Sequence, residues 1–315
     1  VNDEHARIDR RAFLAAAATL TVTALLPCVG NAQSARTRLI LLGTGGGPRP
    51  KKNNMASAQA IVVNDAIYVV DCGDGVARQL VMAGLSLEKL RHVFVTHHHS
   101  DHNADYGNLL LLSWASGLRT PVDTWGPPPI EKITRLFLEM NAYDIDIRIA
   151  DEGRVPLAPL IHVHELAQPG VVMQNADMKV TFALVDHPLV TPAFAYRFDA
   201  ADRSIVISGD TRLSDNLVKL ARGADVLVHE ALYVPAVDRL VARVANASTL
   251  KRHIMNSHTS AEDCGRIAAA AGVKTLVLSH FVPPDDPTIT EQMWIDAARP
   301  HFTGEIIVGH DLMEL

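Results

Sequence analysis

Cysteine is scarce in this chain: 3 among 315 residues, with no C-x-x-C pair, which removes a disulfide scaffold or a zinc ribbon from consideration. Basic charge is not in excess either. Lys and Arg number 29 against 35 Asp and Glu, a formal net charge of −6 that gives no electrostatic footprint for a nucleic acid. Arg49, Lys51 and Lys52 share a Gly/Pro loop and read as a solvated turn. The glycines at 43–47 are not followed by Gly-Lys-Ser/Thr, so they do not form that phosphate cradle; their simplest use is to let backbone pass close to a site. A membrane-spanning run of ~20 apolar residues is also missing. The apolar stretch Ala15 to Leu26 is too short for one; it follows Arg10-Arg11 and precedes Gly30-Asn31-Ala32. This is the pattern of a twin-arginine export signal cut after Ala32. The expectation is a signal peptide over 1–32, a periplasmic or secreted mature protein, and no membrane span after cleavage. Cys72 and Cys264 then remain, read as buried free thiols.

What is present is a sizeable core, with 48% hydrophobic residues and no repeat or low-complexity tract. From Arg38 onward short β runs alternate with helical stretches. Leu39–Leu42, Ala60–Val63, Ala66–Val70 and His92–Val95 read as strands, the second and third joined through Asn64-Asp65 as a hairpin. Lys179–Leu184, Ser204–Ser208, Val226–His229, Thr275–Ser279 and Ile306–Val308 follow as further strands. Gly75–Ala83, Leu109–Trp114, Leu213–Arg222 and Ala261–Ala271 read as helices. One layered α/β or α+β domain over 38–315 is predicted.

The chemistry concentrates at THHHSDH, residues 96–102. His97 and His99 on extended backbone point to one side, and Asp101 and His102 follow in the turn. Imidazole and carboxylate are the donors that zinc and its first-row neighbours take. One loop can begin two metal sites but not complete them. Further donors stand at the ends of later strands: His187 in Val185-Asp186-His187, Asp210 in Ser208-Gly209-Asp210, and His280 in Leu278-Ser279-His280. His98 should face the other way. His162-x-His164 has the same spacing but no following Asp-His, and reads as the polar face of a strand. Asp71 and Asp74 are either turn caps or braces of the site. Asp105 and Tyr106 are placed at the pocket mouth.

In this order the motif His97-x-His99-x-Asp101-His102, then His187, Asp210 and His280, resembles the metallo-β-lactamase superfamily of binuclear hydrolases. The resemblance implies an α+β fold, a four-layer αβ/βα sandwich with the metals at its edge. It implies one metal held by His97, His99 and His187, a second by Asp101, His102 and His280, and Asp210 between them. Leu42–Pro48, Asp71-Cys72-Gly73, Val228-His229-Glu230-Ala231 and His258-Thr259-Ser260-Ala261 are similar to the branch of ribonuclease Z and the arylsulfatases of this superfamily. There Glu230 and His258 match a proton-handling pair, although Leu232 and Thr259-Ser260 depart from the branch pattern.

Catalysis is therefore expected from Asp101, Glu230 and His258, on two divalent ions, zinc first and manganese or iron as alternatives. Ribonuclease Z grips tRNA with a long arm between the third histidine and the bridging aspartate, and here 22 residues separate His187 from Asp210. Without that arm, with an acidic balance and an export signal, the expected substrate is a small sulfate or phosphate ester, with no nucleic acid partner and a possible homodimer. Lactone or organophosphate triester cleavage, iron redox chemistry and metal-dependent binding without turnover are the competing expectations.

Overall fold

The computed structural model describes residues 37–245 and 247–315; the expected signal segment over 1–32 lies outside the described residues. Strands β1 (Arg38–Gly43), β2 (Ala58–Val63), β3 (Ala66–Val70), β4 (Leu90–Phe94), β5 (Val122–Gly126) and β6 (Ile161–Glu165) lie side by side in chain order as one sheet. A second sheet holds β7 (Gly170–Gln174), β8 (Met178–Val185), β9 (Ala193–Ala200), β10 (Ser204–Ile207), β11 (Val226–Leu232), β12 (Thr275–Val282) and β13 (Glu305–Val308), again in spatial sequence. Both sheets are mixed. Antiparallel pairs β1–β2–β3 give way to parallel β3–β4–β5–β6, and antiparallel β7–β8–β9–β10 to parallel β10–β11–β12–β13.

Period-two alternation builds the layers. Leu39 and Leu41 turn inward between the sheets, while Ile40 and Leu42 turn outward under helices Val76–Met82 and Tyr106–Ala115. On the second sheet Val226 and Val228 face inward, and Leu227 faces helices Asp215–Leu220, Ala261–Ala271 and Glu291–Ala298. Buried on both faces, these strands read as continuous apolar runs rather than as half-polar alternation. The centre of the inter-sheet layer is aromatic: Phe94 meets Tyr196 and Phe198 edge-on at 5.4 and 5.2 Å between ring centroids. Helix, sheet, sheet, helix is the four-layer sandwich expected.

The Asn64-Asp65 hairpin forms as predicted. Both residues have positive φ, 48° and 66°, the geometry of a two-residue turn matched to strand twist, and Val63 pairs with Ala66. Helix Ala261–Ala271 has the predicted bounds and starts at Ser260, whose side chain accepts from the Asp263 N–H. Strand β9 and helices Ile130–Met140, Ala142–Glu152, Val237–Ala242 and Leu250–Ser257 are additions to the sequence reading. The last two of these helices form a wall of the site. Among the described residues no helix is long and apolar enough to cross a membrane.

Candidate metal centre

The seven expected donors come from four strands, at or near their ends on one edge of the sandwich. Strand β4 runs into His97 and His99, and His99 caps the one-turn helix Ser100–Asn103 that carries Asp101 and His102. His187 follows β8, and Asp210 follows β10. His280 lies within β12 at a bulge: Glu230 pairs with Ser279 but Ala231 with Phe281, so His280 is the extra residue. Its φ of 44° is left-handed, a conformation costly for a side chain with a Cβ, and it turns the imidazole out of the ladder toward the edge.

Two groups of donors converge there. His99 Nδ1 lies 3.1 Å from His97 Nε2 and 3.2 Å from His187 Nε2. His102 Nε2 lies 3.1 Å from His280 Nε2, and Asp101 Oδ2 is 3.3 Å from His280 Nε2. Asp210 stands between the groups. Its Oδ1 is 3.3 Å from both His102 Nε2 and His280 Nε2, and its Oδ2 is 3.9 Å from His97 Nε2. Ligands on a tetrahedral cation with bonds of about 2.1 Å sit about 3.4 Å apart, so these separations fit a shared cation.

Proton accounting points the same way. His102 Nδ1 donates to Asp71 Oδ2 at 2.7 Å, and His187 Nδ1 donates to the Ser257 carbonyl at 2.9 Å. His97 Nδ1 faces Thr96 Oγ1 at 3.1 Å, and Thr96 Oγ1 in turn donates to Asp71. Each of these rings, when neutral, therefore turns a lone pair from Nε2 into the site. Buried Asp210 Oδ1 accepts no hydrogen bond. Lone pairs facing lone pairs and an orphaned buried carboxylate oxygen are stable only around positive charge. Burial keeps His97 and His187 neutral by pulling their pKa values down, and takes His99 to about 4. At His102 burial also pulls down, but Asp210, Asp71 and Asp101 overcome it and hold a proton where a cation belongs. The donor set fits two divalent ions.

Beside these candidate donors, Glu230 and His258 meet. His258 Nδ1 lies 3.2 Å from both Glu230 oxygens, and Glu230 Oε1 also accepts from the Thr211 and Thr259 backbone N–H groups at 3.1 Å. Burial lowers the His258 pKa, but Glu230 outweighs it and pushes the imidazole up to about 9. Above this floor opens a cleft of about 590 Å³. One wall is the 46–51 loop; the other is formed by Val237–Ala242, Leu250–Ser257 and the Pro283-Pro284 turn.

The glycine loop does let backbone approach. The Gly47 N–H donates to Asp101 Oδ2 at 2.6 Å, and a Cβ on Gly46 would stand 2.7 Å from the His280 ring. Asp71 is a buried brace, whereas Asp74 is exposed. His98 turns away to the Pro127 carbonyl at 2.8 Å. His162 and His164, on β6, face Asp123 on the neighbouring β5, outside the donor groups. Cys72 and Cys264 are buried and free. Tyr106 corrects its expectation: it is buried, with its hydroxyl bonded to Thr124 and Thr134, because its helix packs it into the core. Asp105 instead accepts from the Gly75 N–H at 2.7 Å. Arg49 and Lys51 are also corrected, since both line the cleft with Arg243. His253 was missed. Its ring centroid is 6.1 Å from those of His99, His187 and His258, and the signal available was its place one helical turn before Ser257-His258.

Comparison with known proteins extends this geometry. The family described as Beta-lactamase superfamily domain matches residues 67–281. Ribonuclease Z of Mycobacterium bovis (strain BCG / Pasteur 1173P2) is 33% identical over 277 residues, covering 87% of this chain and 96% of that protein. Ribonuclease Z of Mycobacterium sp. (strain KMS) is 33% identical over 274 residues, covering 86% and 93%. Among solved structures, human tRNase Z, short form, superposes with a TM-score of 0.65 at 21% identity, covering 88% of this chain and 98% of that one. The metallo-beta-lactamase fold protein YhfI from Bacillus subtilis gives 0.64 at 21% identity, covering 89% and 98%. At that identity the two structures speak for the fold.

The expectation of a small sulfate or phosphate ester substrate, and of no nucleic acid partner, is overturned by the relatives named ribonuclease Z. Two of its three grounds, the missing arm and the acidic balance, fail for physical reasons. A relative matched over 96% of its length leaves no room for a large arm that this chain lacks. A net charge counts the whole surface, whereas Arg49, Lys51 and Arg243 are placed at one cleft. The chain belongs to the metallo-β-lactamase superfamily, on its ribonuclease Z branch, and is a metal-dependent hydrolase of ester bonds.

Proposed function

We propose that the protein hydrolyses phosphodiester bonds in RNA. The observation that carries this reading is Asp210, one carboxylate turned to two donor groups beneath a cleft with basic residues on its walls. The relatives named ribonuclease Z support RNA as the substrate class. His97, His99 and His187 would hold one cation, Asp101, His102 and His280 the other, and Asp210 both; zinc is the first choice, with manganese and iron suited to the same donors. Such a pair supplies Lewis acidity toward a phosphoryl oxygen and makes water a better nucleophile near neutral pH.

The chain's own residues do the rest. Asp101, held by the Gly47 N–H, orients the attacking water. As the water oxygen gives its proton to Asp101 and bonds to phosphorus, the P–O bond to the departing ribose oxygen breaks. His258 is fixed through Nδ1 by Glu230, so Nε2 is the atom that delivers a proton to that oxygen. Export through residues 1–32 is part of the proposal, supported by Arg10-Arg11 ahead of the apolar stretch. Replacing both arginines by lysine should leave the protein in the cytoplasm, and unchanged export would refute that part.

The test of function uses metal-reconstituted protein on an RNA oligonucleotide and on bis-nitrophenyl phosphate. Cleavage of both is expected. His258→Ala should slow RNA cleavage by ~10²–10⁴-fold, the usual span of a general acid, and the nitrophenyl diester far less, because nitrophenolate leaves without a proton. Equal losses would remove the proton-donor role, and no RNA cleavage with zinc, manganese or iron would remove the reading.

A further inference from the structure

The wall formed by helices Val237–Ala242 and Leu250–Ser257 is mostly apolar where it meets the cleft, with Leu240, Val244, Leu250 and Ile254 along it. An aliphatic surface gives nothing to a phosphate. Arg243 stands exposed on the same wall, whereas His253 is half-buried near the donor groups. Its ring is T-shaped to those of His99, His187 and His258, each centroid 6.1 Å away. His99 and His187 are themselves 5.0 Å apart, and His187 and His258 5.4 Å. His253 is thus the apex over a triangle of site imidazoles, each at edge-to-face contact distance. It belongs to none of the groups whose donor atoms are close enough to share an ion.

Its orientation is also set. Nδ1 faces the buried Ser257 hydroxyl at 3.4 Å, one turn along the same helix, while the Ser257 carbonyl holds His187 and the next residue is His258. In the tautomer in which the hydroxyl donates to Nδ1, the ring proton sits on Nε2. Among the described residues no hydrogen bond to Nε2 is formed. One helical turn therefore fixes His187, His253 and His258 together.

We propose that His253 is a substrate-binding residue, whose Nε2–H donates to a non-bridging phosphoryl oxygen lying in the cleft beside the His99–His187 side of the centre. This rests on the phosphodiesterase reading for the identity of the group bound. Because the hydrogen bond is made to the ground state as well as the transition state, its loss falls on KM more than on kcat.

The experiment compares full-length, metal-reconstituted wild type with His253→Phe, which keeps a ring without a donor, and His253→Gln, which keeps an N–H. Metal content is measured for each, and inorganic phosphate is titrated calorimetrically. His253→Phe should bind phosphate ~10-fold more weakly with two metals retained, in keeping with a hydrogen bond to a charged group. His253→Gln should recover most of the affinity, and KM for the diester should rise in the Phe variant with kcat within ~3-fold. Unchanged phosphate affinity in the Phe variant would overturn the proposal, as would a Gln variant no better than Phe, or metal loss in both. A wild type that binds phosphate but leaves RNA intact would remove the phosphodiesterase reading instead, with the phosphate comparison still deciding the role of His253.

Discussion

His92 shows how one residue's environment becomes a measurable property. It stacks on Tyr68 at 4.8 Å between centroids, its side chain is 13% exposed, and its Nδ1 is 4.0 Å from Asp123. Burial takes its pKa from 6.5 to about 4, against the pull of Asp123. The sign follows from proton binding. Between about pH 6.5 and 4 the unfolded chain takes up a proton that the folded chain resists, so stability falls as pH falls through that window. At roughly 1.4 kcal/mol per pH unit this reaches on the order of 3 kcal/mol. In His92→Leu the stability difference between pH 7.5 and 4.5, read by urea unfolding, should shrink by ~2 kcal/mol relative to wild type. Parallel pH profiles would show that His92 does not carry it. The candidate donors were legible because their chemistry is local: His97, His99, Asp101 and His102 sit within six positions, His187 and Asp210 follow strand ends, and His280 lies two residues before the end of β12. His253 was not, because a lone histidine in a helix gains meaning only from what packs beside it.

At the scale of elements, most strands, parallel and antiparallel, and the helices beside them were readable, since apolar runs such as Val226–His229 and the Ala-rich Ala261–Ala271 carry strong patterns. Strand β9 was hidden. Its Arg197 and Asp199 interrupt the apolar run, and they are accommodated by pairing with each other at 2.9 Å. The bulge at His280 was hidden too, because nothing in Leu278-Ser279-His280-Phe281 distinguishes a straight strand from one that re-aims a side chain. The glycine loop was read correctly as a close approach, and it can be tested. In Gly46→Ala the new Cβ would sit 2.7 Å from the His280 ring and 2.9 Å from the Phe281 carbonyl oxygen, so the ring must shift. Metal affinity should fall ~10–100-fold, as when a supporting contact of a ligand is lost, while far-UV circular dichroism stays that of the wild type. Wild-type metal affinity would show that the loop tolerates the methyl group and does not position His280.

For the whole molecule, the sandwich brings distant parts of the chain to one edge: His97 and His280, 183 positions apart, both reach Asp210. Overall composition was a poor guide to the partner, because a net charge of −6 says nothing about three basic residues gathered at one cleft. The central claim is that Asp210 is shared by two cations. It is tested most directly by counting metal on purified, zinc-reconstituted protein by plasma mass spectrometry, wild type beside Asp210→Ala. Two zinc ions per wild-type chain and one or none in the variant are expected. A wild type that retains no stoichiometric metal, or a variant that still holds two ions with wild-type affinity, would contradict the account.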